Sequence, residues 1–166
     1  MENLIMPLSP PALLTPATMH WLLEHSFDPQ QPALPGRYQD TALIAASRQG
    51  ERSVVVDLLS LGAANVAINH RNMDGTNALW AAVVADDFVI ATALLRAGID
   101  IDNLNDNGAS TLMYASSAGK TEWVQWLLSH GADTVAETLD GFTALDLAAN
   151  IDCLRLLKAA RKTATA

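Results

Sequence analysis

Histidine, cysteine and grouped carboxylates are the side chains from which a catalytic or metal site would be built, so their spacing decides what chemistry is open to this chain. The four histidines are His20, His25, His70 and His130, and no metal-ligand or triad spacing links them. His130 stands directly before Gly131, where an imidazole can satisfy the last carbonyls of a helix. His20 and His25 have the same structural reading. Cys153 is the one cysteine, which excludes an intramolecular disulfide and a cysteine-built metal site. It lies in the apolar stretch 151–157 with no base nearby and reads as a small core residue.

The run 99–108, IDIDNLNDNG, has the density of Asp and Asn of a calcium loop. Its spacing fails that test. Counted from Asn103, the twelfth position is Tyr114 where a bidentate Glu is required, and counted from Asp102 the third is Leu104. Asn and Asp at such density suit a tight turn instead. Glycine-rich phosphate cradles, a nucleophile elbow and a carboxylate pair on one helical face are not found. The expectation is therefore no catalytic residues, no metal, no cofactor and no enzyme activity.

The elements behind these residues repeat. GTNALWAA from Gly75, GASTLMYA from Gly108 and GFTALDLA from Gly141 are separated by 33 residues and 33 again. An earlier copy, QDTALIAA from Gln39, lies 36 residues before Gly75, the extra three falling in the loop 64–72. A second element, LLSLGA at Leu58, LLRAGI at Leu94 and LLSHGA at Leu127, follows the turn positions Gly50, Asp86 and Gly119 at a constant offset. Each unit reads as helix, tight turn, helix and loop, and none could bury its apolar face alone. Alanines in the first helix permit close approach, and Gly62, Gly98 and Gly131 end the second where a left-handed residue is needed.

This unit resembles the ankyrin repeat over about residues 37–160. The proline of that family's pattern is replaced by Ala42, Ala78, Thr111 and Ala144, and its histidine by Ile44, Trp80, Met113 and Asp146. Thr41, Asn77, Ser110 and Thr143 keep side chains able to cap a helix. The resemblance implies an all-α ankyrin-repeat solenoid of stacked helix-turn-helix units with β-hairpin-like loops. Its expected divisions are an N-terminal capping segment 1–36 with one repeat-like helix, repeats 37–71, 72–104 and 105–137, a shortened C-terminal capping repeat 138–162, and a tail 163–166. In the capping segment Leu22/Leu23 align with the Leu-Leu pairs, and in the last unit Leu156/Leu157 do so early, which predicts a shortened second helix.

Half of the residues are apolar and the net charge is −8, so a buried core is expected and nucleic acid or an anionic membrane is not. Residues 72–137 hold nine acidic side chains against only Arg96 and Lys120. The start of the chain, MENLIMPLSPPALLTP, lacks the basic region of a signal peptide and is broken by prolines. A cytoplasmic protein, monomeric when free, is expected.

The resemblance also implies a concave surface of loop tips and first helices that holds another protein. The corresponding residues here are Arg37, Tyr38, Asp40, Arg48, Met73, Asp74, Thr76, Asp106, Asn107, Leu139, Asp140 and Phe142. Trp126, at a position where sister repeats have Asp57 and Ala93, is a further candidate on the outer face, open to either lateral packing or partner contact. The functional expectation is a binding protein that neutralises a basic protein partner as an inhibitor or immunity protein would; the alternative is an adaptor that binds without inhibiting.

Overall fold

The computed structural model describes residues 14–164. Its helices are α1 (Pro16–Glu24), α2 (Ala42–Gln49), α3 (Arg52–Leu59), α4 (Ala78–Val84), α5 (Phe88–Arg96), α6 (Thr111–Ser117), α7 (Thr121–Ser129) and α8 (Ile151–Ala164). No strand occurs among the described residues. The expectations for residues 1–13, and for 165–166 of the tail, fall outside them.

Each first helix starts at an oxygen-bearing side chain. Thr41, Asn77 and Ser110 accept the backbone N–H of Ile44, Trp80 and Met113, capping α2, α4 and α6. Such caps contribute about 1 kcal/mol each. The turn out of each first helix requires a left-handed residue, supplied by Gly50 (φ 71), Asp86 (φ 63) and Gly119 (φ 68). A side chain in that region costs about 1–2 kcal/mol, so Asp86 must be held by contacts elsewhere.

The helices stack in two rows. α2 packs on α4 and α4 on α6, while in the other row α1 packs on α3, α3 on α5 and α7 on α8. Ala42, Ala46, Ala78, Ala82 and Ala115 are fully buried in the first row, where their small side chains let the helices approach. In the second row Leu22, Leu58, Leu94, Leu127 and Leu157 are fully buried. Four residues earlier in each helix Thr18, Val54, Ile90, Trp123 and Cys153 are buried as well. This i, i+4 pair is the stripe that ties each second helix to the core.

The C-terminal unit corrects the sequence-based expectation. Its second helix is not shortened: α8 has 14 residues and runs on through Thr163 into the expected tail. The first helix is what is lost, residues 144–147 forming only a turn. Leu157 rather than Leu156 takes the buried leucine position, three residues nearer its tip glycine, Gly141, than Leu94 is to Gly75. Thr143 still caps, accepting from the Asp146 amide at 3.3 Å while Asp146 accepts from the Thr143 amide at 2.9 Å. With nearly one turn of backbone missing before Asn150 caps α8 at the Cys153 amide, that start is not propagated.

Candidate functional site

Between the second helix of one unit and the first helix of the next, the backbone makes a four-residue tip. Asn72, Asn105 and Thr138 open the last three tips, and their N–H groups donate to the carbonyls of Thr76, Ala109 and Phe142. Their side-chain oxygens hold the turn from within. Asn72 Oδ1 accepts from the amides of Asp74 and Thr76, Asn105 Oδ1 from those of Asn107 and Ala109, and Thr138 Oγ1 from that of Phe142. Successive tips are then joined backbone to backbone: Met73 N–H to Tyr38 O, Asp106 N–H to Asp74 O, and Leu139 N–H to Asn107 O, at 3.0–3.1 Å. These loops are hairpin-like without forming strands. Gly75 is required where tips meet, since a Cβ there would lie 2.9 Å from the Asp106 amide nitrogen.

The row so built presents several of the expected residues to solvent. Tyr38 is 54% exposed, Met73 58%, Leu139 79% and Phe142 49%. Arg37 lies over the Tyr38 ring, 4.6 Å from its centroid. Asp74, Asn107 and Asp140 are also exposed.

Other expected residues are placed differently. Asp40 is buried, paired with Arg48 and accepting from Asn72 Nδ2 at 3.0 Å, so it joins the first two tips instead of facing a partner. Its hydrogen bond raises the Arg48 pKa against the opposing effect of burial. Thr76 is half-buried and donates its hydroxyl to Asn72 Oδ1. Asp106 is exposed, with Arg71 Nη2, which also donates to Leu104 O, 3.7 Å away. Trp126 is half-buried in a cluster with Trp123, Phe88 and His130, at centroid distances of 5.4, 6.2 and 4.3 Å. It stands apart from the tip row. His130 meets the expectation made for it, its Nδ1 lying 2.7 Å from the Trp126 carbonyl.

Two residues that tie the tips together carry no mark in the sequence motifs. His70 Nε2 donates to Gln39 O at 2.7 Å, and Asn103 Nδ2 to Gly75 O at 2.9 Å. His70 and Asn103 occupy one register position, five residues before the glycine position, and each latches onto the glycine-position carbonyl of the tip before it. The third residue of that register is Ala136, which has no donor to offer. A recurring polar residue at this position was the available signal, hidden by the change from His to Asn.

A family model described as ankyrin repeats (three copies) matches residues 86–166. A B-cell lymphoma 3 protein homolog of Mus musculus is 32% identical over 124 residues, 74% of this chain and 28% of that protein. The chain belongs to the ankyrin-repeat family. An ankyrin repeat and KH domain-containing protein of Caenorhabditis briggsae is 30% identical over 117 residues, 70% of this chain and 4% of the relative. An ankyrin repeat and SAM domain-containing protein of Mus musculus shares 33% identity over 81 residues, 48% of this chain and 9% of that protein. The chain thus spans only a small part of the length of these ankyrin relatives.

The ankyrin repeat is a protein-protein interaction module, and its family is generally non-catalytic. In this ankyrin stack the tip row carries fewer active charges than its acidic composition suggests. Asp40 is engaged by Arg48 and Asp106 by Arg71, whereas no ion pair among the described residues involves Asp74 or Asp140. Further acid lies in the loops that lead to the tips, at Asp100, Asp102, Asp133 and Glu137. No group of His, Cys, Asp and Glu among the described residues could hold a metal ion, and no helix there is long and apolar enough to cross a membrane.

Proposed function

We propose that the chain is a non-catalytic binding protein whose tip row grips a basic protein partner and neutralises it, as an inhibitor or immunity protein does. The observation that supports this reading is the exposed row of Tyr38, Met73, Leu139 and Phe142, with Asp74 and Asp140 between them, on tips joined backbone to backbone. Apolar and aromatic side chains on a rigid frame lose little conformational freedom when they are covered, which is the arrangement of binding hot spots. Exposed carboxylates favour a cationic surface and hasten its approach. Neutralisation then needs no chemistry, only occlusion of the partner's working face. A cytoplasmic setting and a monomeric free state complete the proposal.

The test begins with recovery of the partner on the immobilised protein, followed by an assay of the partner's own activity with the protein at saturation. Loss of that activity is expected. Retained activity under full binding would transfer the protein to the adaptor class. Asp74→Lys with Asp140→Lys should weaken binding at least about tenfold, or about 1.4 kcal/mol, with most of the loss in the association rate at low salt. Unchanged affinity would remove the tip row from the interface.

A further inference from the structure

The three tips covered by a following unit are latched unequally, and the weakest of these latches coincides with the only Asn-Gly step of the sequence, Asn107–Gly108. The first and second tips are each held from the next unit by a backbone hydrogen bond and a side chain, His70 on Gln39 O and Asn103 on Gly75 O. The second has an additional donor in Arg71 Nε, 3.1 Å from Gly75 O. The third tip receives the backbone bond from Leu139 to Asn107 O at 3.1 Å, but Ala136 stands where the latching side chain would be.

Asparagine followed by glycine is chemically labile because the glycine nitrogen meets no side chain as it approaches the asparagine Cγ. The Gly108 nitrogen bonds to Asn107 Cγ, the Cγ–Nδ2 bond breaks, and ammonia leaves with the Gly108 proton. Water then opens the resulting succinimide at either carbonyl, giving aspartate or isoaspartate. In the closed tip this ring closure is obstructed. The Gly108 N–H is donated to Asn105 O at 2.9 Å, the Asn107 N–H to Asn105 Oδ1 at 3.0 Å, and Gly108 is buried against the Thr138–Leu139 backbone. Reaction requires the tip to open, and local opening is governed by the few bonds that hold it.

We propose that Asn107 is a site of spontaneous deamidation whose rate is set by opening of the third tip, which lacks the side-chain latch of the first two. The product places an additional carboxylate in the row between Asp74 and Asp140. Where aspartate forms, a basic partner should gain affinity, a consequence that rests on the binding function proposed above. Isoaspartate lengthens the backbone beside the Leu139 bond and unseats the tip.

The experiment is incubation of the intact protein at mildly alkaline pH, with conversion at residue 107 followed by peptide mass mapping. Three samples are compared: the folded protein, the protein in urea, and a folded Ala136→Asn variant that installs the latch found at Asn103. Conversion at Asn107 is expected in all three. It should be at least about tenfold faster in urea than in the folded protein, an opening free energy of about 1.4 kcal/mol. One added hydrogen bond should slow it about fivefold in Ala136→Asn. Equal rates in the folded and unfolded protein, or no conversion at 107 in either, would overturn the proposal. If Ala136→Asn folds, shown by unchanged circular dichroism, and converts at the wild-type rate, the missing latch is not the gate; if it misfolds, Asn105→Ala is the second probe and should accelerate the reaction. No partner is needed for any of these readings, so failure here is separable from failure of the binding proposal.

Discussion

The Asp86 carboxylate accepts the indole N–H of Trp123 from the following repeat. Asp86 stands in the left-handed position that glycine fills in the neighbouring turns, and Trp123 is 1% exposed. The contact explains why a strained side chain is kept there: without it a buried indole N–H would have no acceptor. Lys120 adds a charge 3.9 Å away. Next door, Asp87 reaches the opposite way, pairing with Arg52 of the preceding repeat at 3.0 Å and capping α5 at the Ile90 amide. Two consecutive acids thus join three repeats.

Asp86→Ala should destabilise the protein by about 1–3 kcal/mol, since the indole loses its acceptor while the left-handed backbone still carries a Cβ. Asp86→Gly removes the same acceptor but relieves the backbone, so it should be the milder change by about 1 kcal/mol. Urea unfolding of both variants checks the ordering. Glycine no better than alanine would show that the turn is unstrained.

Asp57 anchors the N-terminal helix by accepting both the amide and the hydroxyl of Thr15 at 2.8 Å. Burial alone would raise its pKa, but hydrogen bonds from Thr18 and Thr15 outweigh that effect and lower it. A lowered folded pKa means stabilisation that is present above the ordinary carboxylate value, near pH ~4, and lost as pH falls through the folded value. Protection of the α1 amides, taken relative to their intrinsic exchange rate at each pH, should therefore fall at acid pH, and Asp57→Ala should produce the same loss at neutral pH by about 1–2 kcal/mol. An α1 equally protected in that variant would show that the Leu22 and Trp21 packing suffices.

Asp102 behaves oppositely. Burial raises its pKa, and nearby Asp133 and Asp100 add to this against the hydrogen bond from the Asp133 amide. A carboxyl with a raised folded pKa favours the fold below its unfolded value and withdraws that stabilisation as pH rises through the folded one. At neutral pH its charge is a net cost. Asp102→Asn, which retains an oxygen for the Asp133 amide, should raise the neutral-pH midpoint of urea unfolding, and the gain should vanish in acid. A loss at neutral pH would mean that the charge-assisted bond to Asp133 dominates.

Much of this architecture could be read from residue spacing because each signal acts locally. The capping oxygens of Thr41, Asn77 and Ser110 reach amides three residues away, and the paired leucines repeat at a fixed offset, so neither depends on distant segments. The candidate face was less legible. Tip position alone could not distinguish Asp74, exposed, from Asp40, which lies 4% exposed beneath Arg48 and Asn72. The last unit is ambiguous in sequence for a related reason: a three-residue deletion can be absorbed by either helix, and the turn at 144–147 together with the burial of Cys153 and Leu157 shows that the first was lost.

Residue order by itself determined the repeat, its register, the helix starts and the absence of a recognisable catalytic spacing, all of which rest on interactions within a few residues. Tertiary structure decided which charges stay available, which aromatics are covered, and which tips are latched. Those outcomes depend on side chains meeting across about 30 residues of sequence, one repeat against the next, as Asn103 meets Gly75 and Trp123 meets Asp86. A single repeat contains one half of each such contact, and stacking supplies the other.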